Sequence, residues 1–362
     1  MSSQPEVRLG RAFDAYQSFV LATKMYWTRT LYPELRQRYE QGHHEQDAES
    51  ATTAPTSADE VSARFAGDVD YALFAWLERH LQQMKYSGHL GLLPAHESHR
   101  QTLERWLNTP LPESLLALDE TFVPPEYFTR VDIHQHPGGV CGDTLAGVIY
   151  ERGARSTTPM LDRDLDLHFR FTKTVRARHE PNRIVDLGCG FGKSTQPFYT
   201  QLDAAQTLGI DVSAPCLKVA ANMAADVQAT NVSFRQARAE QTGLPAASCD
   251  LVTSTMLLHE MPVRAVKEVA AESYRLLEPG GWVFHLDFLA DHNPFNRFIH
   301  YGHSRRNNEP YMRPLNEMDL AAVHAELGFS EFEILPFEEF PGALAPDNTS
   351  WRFPWAIIAA RK

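Results

Sequence analysis

The stretch RIVDLGCGFGKS, Arg183 to Ser194, limits the fold of this chain more than any other. Ile184 to Leu187 form an apolar run of strand length. Glycines follow at positions 188, 190 and 192, and a helix start is expected from Lys193. Strand, glycine turn and helix open a nucleotide-binding α/β unit, in which glycine lets the backbone close on a ligand and adopt the dihedrals of a tight turn. The next apolar run, QTLGID, ends at Asp211, 23 residues after Gly188, where a second-strand carboxylate meets ribose hydroxyls. A nicotinamide fingerprint would need its third glycine at position 193, which is Lys193. A nicotinamide-dependent oxidoreductase is therefore disfavoured. Asp211 could alternatively cap a helix starting near Ser213.

The pattern continues with a helix over 214–228, a strand over 231–236 and a strand from Asp250 to Thr255. A helix from Pro262 to Leu277 and a strand from Trp282 to Asp287 come next. A helix over Asn316–Leu327 and two final strands, Phe329–Phe337 and Trp351–Ala360, complete it. Alternation of this kind predicts a mostly parallel sheet with helices on both faces. Ligands in such sheets bind outside the carboxyl ends of the strands.

Four segments taken in order, IVDLGCGFGKS, LGIDVS, LPAASCDLVTSTMLLHEMP and LLEPGGWVFHLDF, resemble the successive motifs of class I S-adenosylmethionine-dependent methyltransferases. The likeness is strongest to the small-molecule branch that includes the ubiquinone and menaquinone enzymes. It implies a Rossmann-like, seven-stranded α/β sheet, mostly parallel with one antiparallel strand, and S-adenosyl-L-methionine as cofactor. It places Asp186, Gly188, Cys189, Gly190, Gly192, Asp211, Val212, Ala239, Glu240 and Met256 around that cofactor. Family members often carry an acid where this chain has Arg238. Arginine has no acceptor for an adenine amino group, so the Ala239 backbone or Glu240 would have to serve. Transfer of a sulfonium methyl needs chiefly an in-line acceptor, and a base if that acceptor is protic. His259 and Asp287 are the residues expected to supply that chemistry, with Glu260 and His285 as further strand-end candidates. Packing or capping is the competing role for each.

The 362 residues allow one large or two ordinary domains. The net charge of −12 argues against nucleic acid and anionic membrane surfaces as partners. Four cysteines without a CxxC pair read as reduced thiols, and no metal is expected. The N-terminal sequence lacks a basic-then-apolar signal, and no apolar run would span a bilayer, so the expected location is cytoplasmic.

Residues 1–160 read as a helical N-terminal domain with a connector, an acceptor or lid region preceding a methyltransferase domain over 161–362. Helices are expected over 11–40, with a kink at Pro33, and over Ala58–Tyr86, His99–Leu107, Glu113–Leu118 and Leu161–Glu180. Gln41 to Glu60 reads as a flexible loop holding His43 and His44, and no chemistry is expected before residue 125 or in the 338–350 loop.

The glycine-rich segment 126–159 reads as a connector near the site. His134 and His136 on one strand face could bind metal, meet an acceptor or be structural. Tyr150 and Arg155 could face the pocket, and the Asn307–Tyr311 insertion could select the substrate. The expected function is methyl transfer to a small-molecule acceptor through O, N, S or C. The alternatives are a non-catalytic S-adenosylmethionine-binding regulator or scaffold, and a methyltransferase acting on a macromolecule.

Overall fold

The computed structural model describes residues 7–49, 55–155 and 166–362, together with Pro5. Its frame is one sheet with strands β1 (Leu116–Ala117), β2 (Arg183–Leu187), β3 (Gln206–Asp211), β4 (Val232–Gln236), β5 (Cys249–Thr255), β6 (Leu277–Phe288), β7 (Glu331–Pro336) and β8 (Trp355–Arg361). The spatial order is β1-β4-β3-β2-β5-β6-β8-β7, and only β8 runs antiparallel to its neighbours. Strands β2–β8 are the seven that the sequence pattern implies. The eighth, β1, lies where a helix was expected over Glu113–Leu118. There Leu116 pairs with Phe234 and the Leu115 carbonyl accepts from the Phe234 N–H, so the free edge of β4 overrides local helical preference.

Alternating side chains of the strands feed two cores. Ile184, Leu251, Phe284 and Ile357 pack with Phe171, Val175 and Phe198 on one face. Val185, Leu187, Val252 and Ile358 pack with Val266, Val269 and Leu320 on the other. Both faces are thus covered, as a parallel sheet requires.

The chain before the sheet carries helices α1 (Arg11–Tyr26), α2 (Tyr32–Glu49), α3 (Ala58–Arg64), α4 (Val69–Tyr86), α5 (Leu92–Glu97), α6 (Arg100–Leu107), α7 (Glu126–Thr129) and α8 (Ala146–Ala154). The loop expected over 41–60 is instead helical as far as Glu49, and the side chains of His43 and His44 lie outside the described residues. Between α1 and α2 the helix widens into a π turn, Trp27–Leu31, in which the Tyr32 N–H reaches the Trp27 carbonyl. Pro33 has no N–H for the Thr28 carbonyl five residues earlier, and the Trp351 N–H from the far end of the chain takes that acceptor. The single helix expected over 58–86 breaks at Gly67 (φ +84°), and Asp68 restarts it by accepting from the Tyr71 N–H.

Within the second half lie α9 (Asp166–Arg176), α10 (Gln196–Gln201), α11 (Ala214–Asp226), α12 (Val263–Leu276), α13 (Pro294–Arg306), α14 (Met312–Asn316) and α15 (Leu320–Leu327). The first residues of the helix expected over 161–180 lie outside the described residues. The helix expected over 316–327 starts later, at Leu320, where Asp319 caps it on the Ala322 N–H. The insertion after β6 holds α13, whose start Asn293 caps by accepting from Phe295 and Asn296. Among the described residues no helix is long and apolar enough to cross a membrane.

Candidate active site

A cavity of about 750 Å³ opens at the carboxyl ends of β2–β6, within the usual size range of small-molecule sites. The strand order reverses across β2, which has β3 on one side and β5 on the other, so the loop after β2 faces a topological switch point. Gly188, Cys189, Gly190, Asp211, Val212, Ala239, Glu240, Met256 and His259 all line the cavity. Gly190 has φ +52°, and a Cβ there would point into open space with only Tyr150 Cε1 near, at 3.8 Å.

Asp211 Oδ2 accepts from the Gly190 N–H at 2.8 Å and Oδ1 from the Ser213 N–H at 2.7 Å. Burial pushes the Asp211 carboxyl up to about 6, against those hydrogen bonds and helped by the charge of Glu260. The cap of α11 is Ser213, which accepts from the Cys216 N–H, so Asp211 is not needed for that task. Glu240 Oε1 accepts from the Tyr127 hydroxyl at 3.0 Å, and its Oε2 is buried in the cavity wall without a hydrogen-bond partner. Arg238 turns away and donates to the Val123 carbonyl.

Three of the expected residues do not reach the wall. Asp186 is fully buried beneath the glycine turn and accepts from Ser194 Oγ and Thr195 Oγ1, at 2.8 and 2.6 Å. Gly192 packs against α11, where a Cβ would come within 2.8 Å of Ala220 Cβ. Asp287 sits behind His259. It accepts from the Leu258 and Phe288 N–H groups, both at 2.8 Å, and lies 2.5 Å from His259 Nδ1. That contact orients His259 Nε2 towards the cavity. Burial opposes the charge on His259, but Asp287 outweighs it and raises its pKa. His285 is equally buried but hydrogen-bonds Ser254 and does not line the cavity, and burial drops its pKa to about 3.

The first half of the chain, expected to carry no chemistry before residue 125, supplies much of the opposite wall: Lys24, Trp27, Thr28, Glu78, Gln82 and Tyr86. His134 is not on a strand but in a short turn, with φ +57°. Its ring bridges Glu309 (Nδ1–Oε1, 3.1 Å) and Glu260 (Nε2–Oε1, 3.0 Å). Burial works against the imidazolium, yet Glu309 and Glu260 hold the pKa up at about 10.

His136 stacks flat on Tyr86 at 4.6 Å with neither ring nitrogen hydrogen-bonded, and burial lowers its pKa to about 4. Tyr150 and Arg155 both line the cavity. The insertion contributes Asn307 and Glu309, and the 338–350 loop contributes Glu339 and Phe340. Trp351 and Phe353, ahead of β8, meet edge to face at 4.6 Å and continue an aromatic wall through Phe288, stacked 4.4 Å from Phe353. No group of His, Cys, Asp or Glu with a metal-holding arrangement occurs among the described residues.

Sequence reasoning missed the role of Glu309 as the point where His134, His259 and His303 converge. It also missed Glu78, which binds His303 Nδ1 at 2.5 Å and pairs with Arg306. Only the polar NNEPY insertion signalled it. Of the six non-glycine residues described with positive φ, His134, Gln135, Met256 and Asn308 lie on or beside this cavity, a place where backbone strain is often concentrated.

Comparison with known proteins adds the decisive observation: residues 184–281 match the model of a methyltransferase domain. This segment is a methyltransferase domain. The chain is similar to the ubiquinone biosynthesis O-methyltransferase of Leptothrix cholodnii, 33% identical over 28% of this chain and 42% of that protein. It is also similar to the nocamycin O-methyltransferase of Saccharothrix syringae, 32% identical over 38% of this chain and 46% of that one. The chain spans about half the length of the curated relatives it matches. Among solved structures, phosphoethanolamine N-methyltransferase 2 of Haemonchus contortus with bound S-adenosyl-L-methionine aligns over 53% of this chain and 52% of that one, at 17% identity and a TM-score of 0.41.

Proposed function

We propose that this methyltransferase-domain protein transfers a methyl group from S-adenosylmethionine to a protic small-molecule acceptor, with His259 as general base. The observation that carries the reading is that the Gly188–Gly190 turn, Asp211 and the free Nε2 of the His259–Asp287 pair face one cavity.

The residues present fit the cofactor. Gly190 leaves space for close approach of a ligand, Asp211 offers a carboxylate to a ribose diol, and the unpartnered Glu240 Oε2 suits an adenine amino group. Val212, Ala239 and Met256 would flank the rings, and Cys189 would lie beside the chain of the ligand. Asp186 and Gly192 would act indirectly, by holding the turn in shape. When bound, the cofactor supplies a methyl group on a sulfonium, a leaving group that needs no acid.

Asp287 keeps the His259 proton on Nδ1, so Nε2 can accept a proton from the acceptor. Trp351, Phe353 and Phe288 offer the acceptor an apolar wall, while His134, Glu260 and Glu309 offer a polar one. Residues of α1, α4 and α8 and the turn at His134 cover the cavity, which would exclude water from the reacting atoms. The acceptor is protic because a buried base would otherwise have no task. The net charge of −12 favours a small molecule over nucleic acid.

Calorimetric titration of S-adenosylmethionine and S-adenosylhomocysteine into the wild type and Asp211→Ala tests the cofactor, with NADH as control. Binding of the first two should be lost in the variant. Incubation of the wild type with labelled S-adenosylmethionine and metabolite extracts then tests transfer. Binding without any transfer would leave a cofactor-binding protein rather than an enzyme.

A further inference from the structure

The mechanism so far leaves a proton on His259, one of the most enclosed groups in the protein, with 1% of its side chain exposed. From its Nε2 a single line of acid–base groups leads outward. Glu309 Oε2 is 3.9 Å away, and the Oε1 of the same carboxylate is 3.1 Å from His134 Nδ1. His134 Nε2 is 3.0 Å from Glu260 Oε1. Side-chain exposure is 3% at Glu309 and higher beyond it, 23% at His134 and 16% at Glu260.

We propose that Glu309 and His134 carry the proton of the methyl acceptor from His259 to Glu260 and so to solvent. This rests on the reading of His259 as the base.

The step balances as follows. The acceptor X–H bond breaks, and its electron pair stays on X and forms the new X–C bond, while sulfur keeps the pair of the broken S–C bond. The proton goes to His259 Nε2 and from there to Glu309 Oε2. A water within hydrogen-bond distance of both groups would bridge the 3.9 Å between them.

The next transfer follows from charge. His134 keeps its proton because the Glu309 carboxylate is ionised beside it. Protonation of Glu309 removes that attraction, so the His134 imidazolium gives its Nε2 proton to Glu260 and is left neutral with its other proton on Nδ1. A turn of the ring then brings the bare Nε2 to Glu309, whose proton it takes, and the imidazolium and the carboxylate are restored.

The relay is held at both ends by neighbours from several elements. The His134 carbonyl accepts from Gln82 of α4, Gln135 donates to the Arg306 carbonyl of α13, and Asn308 donates to the Asp132 carbonyl. The charged and titratable groups around Glu309 and His134 include His259 with Asp287 behind it, His303 with its partners Glu78 and Arg306, Lys85 and Lys24 of the helical wall, Tyr86, His136, Tyr150, Glu260 and His300. His303, 3.5 Å from Glu309 Oε1, is a side branch closed by Glu78 and leads no farther outward.

The test uses the full chain labelled with 15N-histidine, as wild type, Glu309→Gln and His134→Gln. Histidine titrations are followed by NMR, cofactor affinity by calorimetry and methyl transfer with the acceptor found by the extract screen. In Glu309→Gln the proton affinity of His134 should fall at least about tenfold and the titration of His259 should move with it. Both variants should bind S-adenosylhomocysteine like the wild type. The kcat should fall about 10²-fold, by more than any rise in KM that the loss of these wall residues causes, and concentrated imidazole buffer should restore part of it. An unchanged His259 titration in Glu309→Gln overturns the relay and leaves the methyltransferase reading standing. So does a loss of turnover confined to KM, or one that buffer does not relieve. A wild type that binds cofactor but methylates nothing overturns both.

Discussion

At the scale of single residues, the His259–Asp287 pair carries the proposed chemistry, and its test is the pH dependence of transfer. His259 works as a base only when neutral, and Asp287 raises its pKa above the ordinary 6.5. The rate should therefore climb with pH through a value above 6.5 rather than at it. Asp287→Asn removes the charge that raises it, so the rising limb should move to lower pH while kcat drops about 10²–10⁴-fold. A pH series of kcat for the two proteins measures both effects. A limb that stays in place would mean that another group titrates. The sequence showed these two residues at the right strand ends but not their contact, which depends on β5 and β6 lying side by side.

At the scale of elements, the glycine turn after β2 divides its labour between neighbours that look alike in sequence. Gly190 faces the cavity with free space around its missing side chain, whereas Gly192 is pressed against Ala220 of α11 with φ +83°. Gly192→Ala should thus lower unfolding free energy by about 1–3 kcal/mol, read from a urea midpoint. Gly190→Ala should cost less stability and should weaken S-adenosylmethionine binding in calorimetry, because the methyl group occupies ligand space.

A second element-level case is the start of α4. Asp68 caps it and also pairs with Arg38 of α2, so Asp68→Ala should cost about 1 kcal/mol or more in the same assay. The break at Gly67 and Asp68 was readable in the sequence, since glycine followed by aspartate marks a helix end and a cap. The long apolar period running through both helices hid it.

At the scale of the whole molecule, imidazolium–carboxylate contacts join the first half of the chain to the second. His134 pairs with Glu260 and Glu309, and His303 of α13 pairs with Glu78 of α4. In the folded protein the pKa values of His134 and His303 are raised to about 10 and about 9, the carboxylates outweighing the effect of burial. A raised value means that the stabilisation is complete below the ordinary 6.5 and is lost as pH rises through the folded values. Melting temperature should therefore fall between about pH 7 and pH 10, and limited proteolysis should attack the 1–160 side first. Glu78→Gln should flatten the part of that fall due to His303 while lowering the melting temperature at neutral pH, because Arg306 and His303 lose their buried counter-charge.

The sequence by itself determined strands β2–β8, the glycine turn, the acid at the end of β3 and most of the residues by which the sheet lines the cavity. These are local signals: apolar runs with period two, glycines where φ is positive, and a fixed spacing from turn to acid. It also showed that an insertion follows β6, though not that the insertion contains α13. Only the tertiary structure decided what covers the cavity. Glu309 is one polar residue in a loop-like stretch until His134 and His259, from two distant segments, and His303 of the neighbouring α13 close on it. Lys24, Glu78 and Gln82 read as ordinary helix residues until α1 and α4 turn them inward. Contacts between residues as far apart in sequence as Thr28 and Trp351 leave no periodicity in the chain, because burial and charge pairing act on distance in space.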